Sequence, residues 1–290
     1  MKPPTFDYAV PSSIDEAVSL VSSSDGGAKV LAGGQSLVPL LNMRMARPGL
    51  LVDIARIPGL DQITEDGDTL AIGAMTRQRS VELSATVRSA HPLLHAVTTH
   101  IAHPQNRNQG TVGGSVAHAD PAAEYPALAL ALDAEMRVVG PSGRRSVAAA
   151  DFFVTYLTTS MAEDEILTEV RFPKLGGGAG WSIQELARRH GDFALAGAVA
   201  TLALDGSGNC SEARVALFGV GSTPVRASAA EAAVVGERPS EILFEKAAEA
   251  AATGLAEPLS DVHASSAFRR HLAAVMTSRA LAEAASRAGH

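Results

Sequence analysis

The first fifty residues alternate short apolar runs with a helical pattern. Ile14, Ala17, Val18 and Val21 recur at helical spacing, and Ser13-Ile14-Asp15-Glu16 has the form of a capping box, so a helix is expected from Ser13 to Asp25-Gly26-Gly27. Ala28–Ala32 and Leu50–Ile54 read as buried strands, the first running into Gly33-Gly34. Together they predict a small βαβ-like module. Thr69–Gly73 opens a second region, in which helices are expected over Ser80–Ser89 and Pro92–Ala102, the second opening on a proline whose missing N–H is harmless there. From His103 to Ser115 the chain is polar and glycine-rich and reads as one long turn. A helix near Ala122–Leu132 follows, then strands near Glu135–Val139 and Glu165–Phe172. Leu175–Gly180 is the linker candidate, since consecutive glycines carry an entropy penalty in a packed element. Beyond it, Trp181–Leu186, Ala194–Leu204 and Ala213–Val220 predict three strands. Ala227–Val235, Ser240–Thr253 and Ala264–Ala288, rich in Ala, Glu and Arg, predict helices.

Length and composition fit two or three globular domains: 290 residues, 46% hydrophobic and 19% charged. No run approaches the roughly 20 apolar residues of a membrane span, and the opening Met1-Lys2-Pro3-Pro4 lacks the apolar region of a signal peptide, so a cytoplasmic protein is expected. A single cysteine, Cys210, rules out a disulfide framework and leaves an iron–sulfur cluster without its ligand set. The net charge of −7 argues against a nucleic-acid surface. Any phosphate bound here must be held by local backbone dipoles.

Two segments offer such dipoles: Leu31-Ala32-Gly33-Gly34-Gln35-Ser36-Leu37 and Thr111-Val112-Gly113-Gly114-Ser115. A glycine pair permits positive φ and close approach of consecutive amides to an anion, and such charge-assisted hydrogen bonds contribute about 1.5–3 kcal/mol each. The bland alternative is a pair of tight turns at strand ends. Neither segment follows the P-loop or Rossmann pattern. His100, His103, His118, Asp120 and Glu124 offer imidazoles and carboxylates, but in no zinc-ligand spacing, so no metal site is expected. Ser36 and Ser115 lack a nucleophile elbow, and no second cysteine makes a redox pair with Cys210.

The two glycine segments, with His103-Pro104-Gln105 before the second and Asp120-Pro121 after it, resemble the FAD-binding segments of molybdenum hydroxylase flavin subunits. The resemblance runs the length of the chain, from Phe6-Asp7-Tyr8 and Pro11-Ser12-Ser13 through Asp164–Leu167 to Ala187–Ala194. It is similar in size and layout to the medium subunits of carbon monoxide dehydrogenase and quinoline 2-oxidoreductase, and xanthine dehydrogenase carries a related domain. The resemblance implies an α+β fold: a two-part FAD-binding domain of the vanillyl-alcohol-oxidase type (1–57, a small βαβ module, and 58–175, a larger mixed module), then a C-terminal domain (181–290) of a three-stranded antiparallel sheet with helices. It implies that Leu31, Ala32, Gly33, Gly34, Gln35, Ser36 and Leu37, with Thr111, Gly113, Gly114 and Ser115, cradle the FAD pyrophosphate. Glu124 would reach the sugar-like part of FAD, with His118 and Asp120 on the same stretch. Ile101, Ala102 and His103 would lie near the flavin ring, Leu167 would pack on FAD, and Phe193 would cover one ring face. Ser115 stands where many relatives carry asparagine, Gln35 where many carry histidine, and Gln184-Glu185 where some have a lysine.

The implied function is electron transfer. A large subunit with the molybdenum cofactor hydroxylates the substrate, a small subunit carries 2Fe-2S clusters, and this chain passes electrons from its FAD to NAD, oxygen or a quinone-type acceptor, in a dimer of heterotrimers. A self-sufficient FAD-dependent oxidoreductase and a non-catalytic nucleotide-binding module are the rival readings. Arg188-Arg189-His190 reads either as a solvated basic patch or as a contact with flavin, acceptor or partner.

Overall fold

A computed structural model describes residues 2–289. The chain opens with β1 (Asp7–Ala9), α1 (Ile14–Ser22), β2 (Ala28–Leu31), α2 (Leu37–Asn42) and β3 (Leu50–Asp53). The strands form a parallel sheet in the order β1-β3-β2, joined by the helical crossovers that parallel pairing requires. Ser13 caps α1 by accepting from the Glu16 amide at 3.2 Å, and Ala17, Val18 and Val21 are buried. The reciprocal half of the expected capping box is displaced by one residue: the Glu16 carboxylate accepts from the Ser12 amide and hydroxyl. Because all three strands run the same way, the segment after Leu31 leaves the sheet at its carboxyl edge, where open α/β sheets place ligands.

The second unit comprises β4 (Ile63–Asp66), β5 (Thr69–Gly73), α3 (Gln78–Leu83), α4 (Ala85–Ala90), α5 (Pro92–His100), α6 (Pro104–Gln109), α7 (Val112–His118), α8 (Glu124–Ala131), β6 (Glu135–Gly140), β7 (Gly143–Ala148), α9 (Ala149–Phe152), β8 (Phe153–Thr155), β9 (Thr158–Thr159) and β10 (Ile166–Pro173). Its main sheet, β4-β5-β10-β6-β7, is antiparallel throughout. Two sequence expectations need correction here. The helix expected over Ser80–Ser89 is two helices, broken at Ser84, whose backbone is extended and whose hydroxyl caps α4 by accepting from Val87. The expected long turn from His103 to Ser115 is mostly helical: Pro104 starts α6 where its missing N–H is harmless, and Thr111 caps α7. Helix α8 is buried from Tyr125 to Ala131 because it lies between the second unit and the sheet of the third.

Gly176, Gly177 and Gly178 are exposed and lead into β11 (Gly180–Ala187), β12 (Ala194–Leu204), β13 (Cys210–Phe218), β14 (Val225–Arg226), α10 (Ser228–Val234), α11 (Glu241–Thr253) and α12 (Ser266–Arg287). The three expected strands are present, and the two-residue β14 extends the antiparallel sheet to the order β11-β12-β13-β14. β12 reads as an unbroken apolar run because both its faces are covered. Ala196, Ala198, Ala200 and Leu202 join the core with α11 and α12, while Val199 joins the core around α8. Gly197 is required there, since the Phe218 ring lies where a β-carbon would stand. The third unit docks on the second through the Gly219 amide to the Pro121 carbonyl at 2.7 Å and Arg226 to the Leu130 carbonyl at 3.0 Å. Among the described residues no helix is long and apolar enough to cross a membrane.

Candidate functional site

After Leu31 the chain turns through Gly34, whose φ of +72° suits glycine, and enters α2 at Leu37. Among the described residues, the amides of Gly33, Gly34, Gln35, Ser36 and Leu37 donate to no protein acceptor. Five consecutive uncommitted donors in a largely half-buried segment make a nest that is available to an anion, because backbone N–H groups away from bulk water need partners. The segment is clamped from behind. A β-carbon on Gly33 would collide with the Gln109 carbonyl and stand 2.9 Å from Gly110 Cα. The Gln35 side chain bridges the gap, donating to the Gly33 carbonyl at 3.2 Å and accepting from Asn106 at 3.4 Å.

The second glycine pair plays a different part. Gly113 and Gly114 sit in the first turn of α7 without positive φ, and their amides are already committed. Val112 donates to the Thr76 carbonyl (3.0 Å), Gly113 to Ala74 (2.9 Å), Gly114 to the Thr111 hydroxyl (3.0 Å) and Ser115 to the Thr111 carbonyl (3.1 Å). The expectation that this segment offers free amides at positive φ is therefore corrected. Its glycines allow close packing instead: Gly113 lies directly against Ala74, and a β-carbon on Gly114 would stand 3.4 Å from Ala32 Cβ and 3.9 Å from the Gly33 nitrogen. The two segments converge, the second bracing the first. The hydroxyl of half-buried Ser115 has no protein partner among the described residues.

Beyond α6 the site continues at Ile101-Ala102-His103. Ala102 adopts φ +45°, and the carbonyls of Ile101 and Ala102 both accept from Arg107 Nη1, at 2.7 and 3.1 Å. The exposed His103 ring packs against Gly191 and lies parallel to His190, ring centroids 6.4 Å apart, so the β11–β12 hairpin of the third unit leans on this turn. Two residues on, Phe193 presents an aromatic face that is 67% exposed. Deeper in, an acidic group gathers from both units. Glu185 Oε2 on β11 is buried without a hydrogen-bond partner and lies 3.8 Å from His100 Nδ1. Burial, with the Glu185 carboxylate nearby, pushes Glu124 up to about 8. Burial lowers His118, against the pull of Asp120, whose Oδ1 accepts from the Ala122 amide. The upward shift of Glu124 favours its protonated carboxyl, a form that can donate as well as accept.

Residues 4–175 match the family model described as the FAD binding domain in molybdopterin dehydrogenase, and residues 181–284 match the CO dehydrogenase flavoprotein C-terminal domain. The chain belongs to the FAD-binding medium subunits of the molybdenum hydroxylases. It is 44% identical over 288 residues to the 6-hydroxypseudooxynicotine dehydrogenase complex subunit alpha of Paenarthrobacter nicotinovorans, covering 99% of this chain and 97% of that one. Against the carbon monoxide dehydrogenase medium chain of Hydrogenophaga pseudoflava it is 38% identical, with 97% of each covered. A solved carbon monoxide dehydrogenase from that organism superposes with a TM-score of 0.97 at 41% identity over the full length of both chains. Quinoline 2-oxidoreductase from Pseudomonas putida 86 superposes with 0.95 at 39%, again over both full lengths.

In this medium subunit the sequence-derived site residues, Leu167 apart, fall into four groups. Gly33, Gly34, Gln35, Ser36 and Leu37 form the nest, with Leu31 and Ala32 leading into it from β2, and Thr111, Gly113, Gly114 and Ser115 are its brace. Ile101, Ala102, His103 and Phe193 gather at the far end of α6, with His118, Asp120 and Glu124 at the acidic end. Leu167 stands apart: it is 4% exposed, sits in the main core on β10 and offers almost no surface to a ligand. The site also contains residues that no sequence signal singled out, namely Asn106 and above all Arg107, which is buried and paired with Glu82; Glu185, marked in the sequence only as a departure from relatives, proves to be a buried member of the acidic group. A charged residue in a polar stretch looks solvent-facing, and nothing in the sequence marked Arg107 otherwise.

Proposed function

We propose that this medium subunit relays electrons within a molybdenum hydroxylase whose substrate chemistry lies on a partner chain. FAD supplies the redox chemistry when bound, taking up electrons from an iron–sulfur partner and releasing them to an external acceptor. The chain's own residues bind and orient it. Gly33–Leu37 would hold the pyrophosphate through five free amides, with the Ser115 hydroxyl alongside. Glu124 would meet the sugar-like portion, and Ile101–His103 and Phe193 would flank the ring. The observation that carries this reading is the nest itself, since five consecutive uncommitted amides, clamped by Gln109 and braced by Gly114, suit an anionic linker such as a pyrophosphate.

The units 1–57 and 58–175 then act as the two parts of the FAD-binding domain, with 181–290 as the flavoprotein domain closing over the ring. The partners are a large molybdenum-cofactor subunit and a small 2Fe-2S subunit, assembled as a dimer of heterotrimers in the cytoplasm. Purification from the native host tests this. The chain should be yellow, bring down chains containing molybdenum and iron, and be reduced by the parent substrate only in that complex. Turnover of substrate by the isolated chain would instead make it a self-sufficient oxidoreductase, and a colourless chain would end the FAD assignment.

A further inference from the structure

The nest and the Ile101–His103 turn lie at opposite ends of α6, whose six residues span about 9 Å. The turn is held by one buried side chain. Arg107, 5% exposed, gives Nε and Nη2 to the Glu82 carboxylate at 2.9 and 3.1 Å, and with Nη1 it grips the Ile101 and Ala102 carbonyls. A trans peptide points its N–H opposite to its C=O. With both carbonyls turned inward to Arg107, the amides of Ala102 and His103 face the other way, towards the surface on which His103 is exposed. Neither amide has a protein acceptor among the described residues. Ala102, a non-glycine residue at φ +45°, resists this conformation, and the guanidinium holds it in place.

We propose that Arg107 is a positioning residue: by pinning two successive carbonyls it presents the Ala102 and His103 amides as a paired donor to the carbonyl-bearing edge of the flavin. The inference rests on the FAD reading above. Reduction adds electron density to that edge, so fixed donors favour the reduced form over the oxidised one. The lever is differential affinity, which separates this role from a structural one.

Arg107→Lys tests it in the full-length chain. A lysine keeps a charge beside Glu82 but lacks the planar fork that grips two carbonyls at once. Anaerobic titrations with oxidised and reduced FAD, together with the midpoint potential of the bound flavin, are the readouts. The oxidised affinity should stay within about threefold of wild type while the reduced affinity falls roughly tenfold, equivalent to a potential about 30 mV lower for the two-electron couple. Equal losses for both forms would show a merely structural residue and overturn the proposal, as would no change in either. If the lysine variant does not fold, an Arg107→Met, Glu82→Met double variant removes the buried guanidinium together with its half-buried carboxylate partner and carries the same expectation. A wild-type chain that takes up no FAD refutes the parent reading instead.

Discussion

Replacing Gly33 by alanine asks whether the nest depends on its clamp. The new β-carbon would overlap the Gln109 carbonyl oxygen and lie 2.9 Å from Gly110 Cα, well inside the roughly 3.5–4.0 Å at which heavy atoms rest. Neither obstacle yields easily: both are backbone, Gln109 also accepts a hydrogen bond from Arg77, and the Gly110 carbonyl is held by the Gln78 amide at 2.9 Å. The segment from Ala32 to Ser36 must move, by on the order of 1 Å. Overpacking of this kind costs about 1–3 kcal/mol of stability. The effect on the ligand is larger, because the displaced amides carry charge-assisted hydrogen bonds of about 1.5–3 kcal/mol each. Losing two of them weakens FAD binding by about 3–6 kcal/mol, roughly two to four orders of magnitude in Kd. Titration of the apoprotein with FAD, followed by flavin fluorescence, measures this, with thermal unfolding of the same apoprotein as the control for folding. A Gly33→Ala protein that binds FAD within threefold of wild type would refute the claim that these amides hold the cofactor.

The remaining variants separate bracing, titration and ring contact. Gly113→Ala would drive a β-carbon into Ala74, so the apoprotein should lose about 1–3 kcal/mol in urea unfolding, and an unchanged midpoint would remove the brace from the account. Glu124, raised to about 8 from its ordinary 4.5, keeps its proton in the folded chain while the unfolded chain loses it. Its contribution to stability is therefore complete below pH 4.5 and declines as pH rises towards 8, by up to roughly 4 kcal/mol. Glu124→Gln should flatten that decline in the apoprotein, and a variant with the wild-type pH slope would contradict it. Phe193→Ala, at a position 67% exposed, should leave apoprotein stability within about 0.5 kcal/mol yet change the visible spectrum of bound FAD. An unaltered spectrum would place Phe193 off the ring.

The parts of the fold most legible in the sequence are those where one physical signal dominates. α10, α11 and α12 begin and end within two residues of the helices expected from their Ala-rich pattern. β12 was readable because burial on both faces removes any need for polar alternation. The stretch from His103 to Ser115 reads as a turn in sequence because α6 has no apolar face. The residue it buries is Arg107, which satisfies its charge with Glu82 and two carbonyls. Its start was marked all the same by Pro104 in the first turn, and that of α7 by Thr111 three residues before Gly114.

The two glycine pairs show why a motif can locate a site without revealing its mechanics. In sequence both say only that a side chain is missing. At Gly33-Gly34 the missing side chains bring the segment against Gln109 and permit a positive φ, leaving five amides for a ligand. At Gly113-Gly114 the vacated space is filled by the protein itself, by Ala74 on one side and by Thr111 and Ala32 on the other, and the amides are used internally. Only long-range packing distinguishes a glycine that makes room for a ligand from one that makes room for a neighbour. Here the second kind positions the first: Gly114 must be small so that Ala32 and Gly33 can approach α7, and that approach fixes where the free amides stand. A substitution at either pair should therefore reach FAD, directly at Gly33 and through the support at Gly113.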